Sequence, residues 1–308
     1  MLRPHRLSRG SRIAVVAPAS PFQRGEFDSG VAELSRLGFE PVWDESVFER
    51  QAYVAGSADL RAAAIRRALQ DPSVAALIAV RGGYGSAQLL PLLDPHEFRD
   101  AGKAVIGYSD ITALLTFVTI HCGLVSFHGT MLEGRLARGE AGYDKASFER
   151  ALCMPEPMGQ FAAPGLELVA SGDFTGPILG GTVTNLLASL GTPYAFDPPA
   201  GYVLFFDEVG ERPYRLDRMV TQLRQSGLLA RAGAVVIGEL PRCDEQGGDP
   251  SGRATMTKLF GDFPGPVLLG FPSGHTVGPQ QTTPLGVRAR VVGDRRSPRL
   301  VIEEPAVQ

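Results

Sequence analysis

Short apolar runs alternate with stretches of helical spacing through the first half of this chain, and few architectures accept that rhythm. Arg12–Ala17 reads as a strand, Ser29–Leu37 has helical spacing and stops at Gly38, and Pro41–Trp43 is a weak strand. Ser57–Leu69 resembles an amphipathic helix with Ser57 or Asp59 as its cap. Val74–Val80 and Ala104–Gly107 follow as strands, with helices over Ser86–Leu93 and Ile111–His121. Strands alternating with helices build a mostly parallel sheet covered on both faces. From Cys153 to Gly172 the rhythm gives way to Pro155, Pro157, Gly159, Pro164 and Gly165, the composition of a linker. Strand signals return at Val203–Phe206, Ala234–Ile237 and Val267–Leu269, and helical ones at Asn185–Leu190 and Leu216–Gln225. Arg288–Val292 and Leu300–Ile302 close the chain as strands. The expected fold is α/β: an N-terminal domain over 1–150 with a mostly parallel sheet flanked by helices, a linker over 151–174, and a mixed β/α C-terminal domain over 175–308. A length of 308 residues suits two such units.

Composition narrows the functional classes. The 37 glycines and 24 prolines are spread among apolar runs, as turns between elements are. With 30 basic and 33 acidic residues and a pI near 6.0, no Lys/Arg block stands out; a nucleic-acid platform or a basic membrane-surface protein is not expected. No apolar run approaches the ~18 residues of a membrane span. Arg3, Arg6, Arg9 and Arg12 before Ile13–Ala17 imitate a signal peptide, but five apolar residues fall short of the ~7–15 required, and a first buried strand explains them. Cys122, Cys153 and Cys243 are odd in number and far apart, fitting neither a disulfide framework nor a zinc site. The expected compartment is the cytoplasm.

Three segments could carry chemistry. Gly107-Tyr108-Ser109-Asp110 joins an apolar strand directly to a helix, which sets the Ser109 hydroxyl at the carboxyl edge of the sheet, where open α/β sheets place ligands. The N–H of Asp110 would point at an oxyanion formed there. A helix cap from Ser109 or Asp110 would give the same tetrapeptide. Arg81-Gly82-Gly83-Tyr84-Gly85-Ser86 also lies between strand and helix. It is a poor dinucleotide loop, since Gln88 stands where the third glycine belongs, but an N–H of Gly82 or Gly83 could supply the second oxyanion donor. A serine nucleophile needs a base. His128 and His275 both sit beside glycine in strand-to-loop contexts, and the residues alone leave both open. Asp207 and Glu208 follow a buried strand, where an acid that orients a histidine could sit, and only one of the two can face the pocket. The other would meet solvent or an arginine such as Arg212, Arg215 or Arg218.

Taken together, these segments resemble the LD-carboxypeptidases, the serine peptidase family that includes muramoyltetrapeptide carboxypeptidase and the microcin self-immunity peptidase. The resemblance runs from Val16-Ala17-Pro18-Ala19-Ser20 to Pro284-Leu285-Gly286. Its landmarks are Arg81–Gly85, Gly107–Asp110, Phe127-His128-Gly129, Gly180-Gly181 with Leu190-Gly191-Thr192-Pro193, Pro213–Met219, and Gly274-His275. The resemblance implies a Ser–Glu–His triad spread over two domains, with the active site in the cleft between them. Ser109 matches the nucleophile and His275 the base, which leaves His128 a structural role. The family run is usually Glu-Asp, whereas here it is Asp207-Glu208; strict register favours Asp207, with Glu208 as the alternative. Thr130 stands where proline often follows His-Gly, and Thr182 where asparagine often follows Gly-Gly.

The chemistry so implied needs no metal or organic cofactor. Gly82, Gly83 and Asp110 would supply the main-chain oxyanion donors. The expected substrate is a small peptide, a cytoplasmic murein tetrapeptide that loses its terminal D-Ala, in cell-wall recycling. A microcin-type peptidase that cleaves an aminoacyl-nucleotide amide is the alternative, and an inactive cleft-binding module a remoter one. A homodimer is compatible with the resemblance; a nucleic acid or membrane partner is not expected. Arg81 is a candidate to grip the substrate carboxylate, with a salt bridge as its competing role.

Overall fold

The computed structural model describes residues 1–161 and 163–308. Its strands in chain order are β1 (Arg12–Val16), β2 (Glu40–Val42), β3 (Val74–Ala79), β4 (Ala104–Gly107), β5 (Ser126–His128), β6 (Gly159–Gln160) and β7 (Glu167–Ala170). There follow β8 (Gly172–Thr182), β9 (Tyr202–Asp207), β10 (Ala232–Gly238), β11 (Val267–Phe271), β12 (Thr283–Leu285), β13 (Arg288–Gly293) and β14 (Arg299–Ile302). They form two sheets. The first has the order β12-β5-β4-β3-β1-β2, parallel from β5 to β2 with antiparallel β12 on its edge. The second, β6-β14-β13-β8-β9-β10-β11-β7, is mixed: β8 to β11 run parallel and the remaining pairings are antiparallel. This is the two-part α/β architecture expected.

Local chemistry explains the elements that were legible. Ser57 caps the helix Ala58–Gln70 by accepting the Leu60 N–H, a bond helix starts otherwise lack. The continuous apolar strands β3 and β4 lie in the middle of the parallel sheet and are almost fully buried. Ser86–Leu92 forms a 3₁₀ helix, with Pro91 inside it. The stretch 151–174, expected as a linker, holds the end of the helix Lys145–Cys153 and both edge strands of the second sheet, β6 and β7. β12 returns from the C-terminal half to pair with β5, so Thr283 faces His128 across the first sheet. The three cysteines are free, and among the described residues no helix is long and apolar enough to cross a membrane.

Alternation along β9 positions the site. Val203 and Phe205 lie in the core shared with the first sheet, whereas Leu204 and Phe206 face the core under the helices of the second. Period two then sends Asp207 to the side of Phe205, toward the first sheet, and Glu208 to the side of Phe206.

Candidate active site

The nucleophile candidate sits on a strained turn. Directly after β4, Tyr108 is extended and Ser109 has φ +62°, in the left-handed region, at a cost of about 1–2 kcal/mol for a non-glycine residue. The hydroxyl is not a cap: among the described residues Ser109 Oγ has no hydrogen-bond partner, and the 3₁₀ turn Ser109–Ile111 has no side-chain cap. Nor does Asp110 cap its own helix. Its carboxylate accepts the Ser86 N–H at 2.8 Å while Ser86 Oγ donates to the Asp110 carbonyl, tying the glycine loop to the serine turn. Gly82 is required by proximity rather than by φ. A Cβ there would lie 2.8 Å from Ser109 Cβ, 3.0 Å from its Oγ and 3.2 Å from the Asp110 nitrogen. Gly83, at φ +104°, faces Ser20 instead. Among the described residues no acceptor takes the N–H groups of Gly82 and Gly83, so both are available donors.

His275 and Asp207 form the second cluster. The His275 Nδ1 and its backbone N–H both lie 2.6 Å from Asp207 Oδ2. An ionised carboxylate only accepts, so Nδ1 carries the proton and Nε2 presents its lone pair. Asp207 is fully buried, His275 only partly exposed. Burial alone would raise the Asp207 carboxyl, but the attraction and hydrogen bond of the His275 ring, with the bond from the His275 backbone N–H, hold it well below the usual carboxylate range. Tyr108, the neighbour of Ser109, packs edge-on to the His275 ring with centroids 5.1 Å apart. The serine turn and the imidazole thus share one wall, with no hydrogen bond between them.

Glu208 turns away. Buried at the start of the helix Val183–Ala188, it accepts from the N–H and hydroxyl of Thr184 and from the Val209 N–H, while burial raises its carboxyl. None of the arginines considered as its partner reaches it: Arg212 pairs with Glu245 and Arg215 with Glu211. Arg81 forms a salt bridge with Glu133 at 3.1 Å. His128 is fully buried against Phe205 and Tyr108, its Nε2 3.6 Å from Asp207 Oδ1. Burial pushes it down to about 4 despite the facing carboxylate, so it is neutral at pH 7.

Three supporting residues were not singled out for these tasks by the sequence. Thr182 Oγ1 donates to Asp207 Oδ1 at 2.9 Å; its only signal was its place after Gly180-Gly181. Those glycines are themselves steric requirements, since a Cβ on Gly180 would overlap the Phe205 carbonyl and one on Gly181 would strike Thr112. Asn185 Nδ2 donates to the Ser109 carbonyl at 3.3 Å, linking the two halves. Arg135 reaches the loop around His275; an arginine in an irregular segment carries no local signal of burial.

Known proteins resemble this chain in sequence and in fold. The chain is 35% identical to a protein of Streptomyces coelicolor named as a carboxypeptidase, over 100% of this chain and 98% of that one. It is 30% identical to the murein tetrapeptide carboxypeptidase of Pseudomonas aeruginosa, covering 92% and 94% of the two. The fold matches that of the microcin C7 self-immunity protein solved with glutamyl sulfamoyl guanosine, with a TM-score of 0.91 and 22% identity over the whole of both chains. The LD-carboxypeptidase N-terminal domain matches residues 13–129 and the C-terminal domain residues 175–291, and the chain belongs to that family of hydrolases.

Proposed function

We propose that this chain is a serine carboxypeptidase that hydrolyses the L,D-peptide bond before the terminal D-Ala of a murein tetrapeptide, in cytoplasmic cell-wall recycling. The observation that carries it is the buried Asp207 bonded to His275 Nδ1 beside the strained turn of Ser109. In this reading Ser109 Oγ attacks the amide carbonyl as His275 Nε2 takes its proton. Asp207 keeps the imidazole tautomer and stabilises the imidazolium. The oxyanion accepts from the Asp110 N–H and from that of Gly82 or Gly83, a pair of donors fixed in advance of the charge they meet. His275 then protonates the departing D-Ala amine, and water, deprotonated by the same ring, releases the acyl group from Ser109. The name of the Pseudomonas relative supports the murein substrate.

The test is mass spectrometry of the protein incubated with UDP-muramoyl tetrapeptide and, separately, with an aminoacyl-sulfamoyl adenosine. Loss of one D-Ala from the first, abolished in Ser109→Ala, is the expected result. Turnover of the second alone would transfer the same triad to the aminoacyl-nucleotide reaction. Absence of turnover on both, with no fluorophosphonate labelling of Ser109, would leave a binding module.

A further inference from the structure

Arg135 is a buried cation with no carboxylate bonded to it among the described residues. All five of its N–H donors are nonetheless engaged. Nε donates to the Tyr108 hydroxyl at 3.3 Å, Nη1 to the carbonyls of Gly142 and Gly278, both at 3.3 Å, and Nη2 to those of Gly274 at 3.2 Å and Thr276 at 3.0 Å. Three of the four carbonyls thus belong to the loop 274–278, and Gly274 and Thr276 immediately flank His275. The same guanidinium lies 5.6 Å from the centre of the Tyr108 ring, the ring that packs against the imidazole.

Elsewhere the loop is held by Asp207, which accepts from the His275 N–H and Nδ1, and by Glu239, which accepts the Val277 N–H at 2.9 Å. It contains two glycines, one at φ +72°, and Val277 at its tip is 77% exposed. Gln280 Nε2 adds one bond, to the Gly274 carbonyl. Burying a cation without a counter-charge is costly, and an apolar side chain would fill the space if packing were the only need. A planar fork of five donors instead fixes the peptide planes on both sides of His275. We propose that Arg135 is a positioning residue: from the N-terminal half it locks the 274–278 loop, and with it the His275 imidazole, against the serine turn. The proposal rests on the reading of Ser109, His275 and Asp207 as the triad.

Fluorophosphonate labelling of Ser109 tests it in the full chain, with the second-order rate taken per folded molecule and folding followed by circular dichroism. The set comprises wild type, Arg135→Ala, Arg135→Lys, His275→Ala and the double variant Arg135→Ala/His275→Ala. Arg135→Ala should slow labelling about 10²-fold, the scale of a small displacement of a reacting group. Arg135→Lys keeps the charge but offers three donors from one nitrogen, so its rate should stay at least about tenfold low. Guanidinium ion should speed the alanine variant and not the wild type, and the double variant should be no slower than His275→Ala alone. A purely structural role would reduce folded yield while leaving the rate per folded molecule intact. Wild-type rates in the Arg135 variants, or losses that multiply in the double variant, overturn the clamp; if the alanine variant does not fold, the lysine variant decides. A wild-type rate in His275→Ala is the separate result that removes the triad reading and the clamp with it.

Discussion

Acid should destabilise this protein through His128, and by an amount the structure sets. An unfolded histidine takes up its proton near pH 6.5, whereas burial against Phe205 and Tyr108 lowers the folded His128 to about 4. Between those values the unfolded chain binds more protons, so stability falls as pH falls through the window. At about 1.36 kcal/mol per pKa unit, cooling aside, acidification from pH 7 to 4.5 costs roughly 2.5 kcal/mol through this one ring. A non-titrating His128→Asn variant starts less stable, but it should lack this slope; the contributions of the exposed carboxylates cancel in the comparison. Urea unfolding at pH 7.0, 6.5, 5.5 and 4.5 on both chains measures the difference. Equal losses in the two proteins would show that His128 charges without cost in the folded state, and the account of its burial would fall.

The acid pair gives the next test. Asp207→Asn removes a charge bonded to the imidazole, and about 4 kcal/mol for such a pair at an effective dielectric of 20 translates into a loss of about 10³-fold in kcat; a loss under tenfold in D-Ala release would remove Asp207 from the triad. Glu208→Gln should instead weaken the start of the helix Val183–Ala188, costing about 1–3 kcal/mol in urea unfolding because one of its buried partners goes unpaired, with kcat per folded molecule near wild type. Gly82→Ala places a methyl against Ser109 Cβ and Oγ and the Asp110 N–H, so the turn must shift and kcat per folded molecule should drop about 10²-fold or more; wild-type kcat would show that this approach is not used.

Much of the molecule was legible in its order of residues. The alternation from Arg12 to His121 fixes a parallel sheet, because apolar strands buried on both faces need covering helices between them. Ser109 was visible because a serine at a strand-to-helix turn has few places to point. β8 was not: Gly172, Gly176, Pro177, Gly180 and Gly181 look like breakers, and only the backbone of Phe205 and the side chain of Thr112, distant in sequence, make two of those glycines necessary. The short β12 was silent for a related reason, since three residues show no periodicity and its pairing with β5 spans the chain. The choice between Asp207 and Glu208 could be framed from sequence as two faces of one strand end, but which face meets His275 depended on how β9 packs between two cores. The partners of the site, Thr182, Asn185 and Arg135, reach it from elsewhere in the fold. Local order sets which way each side chain points along its own element, while contacts between elements far apart in the chain are decided by tertiary packing alone.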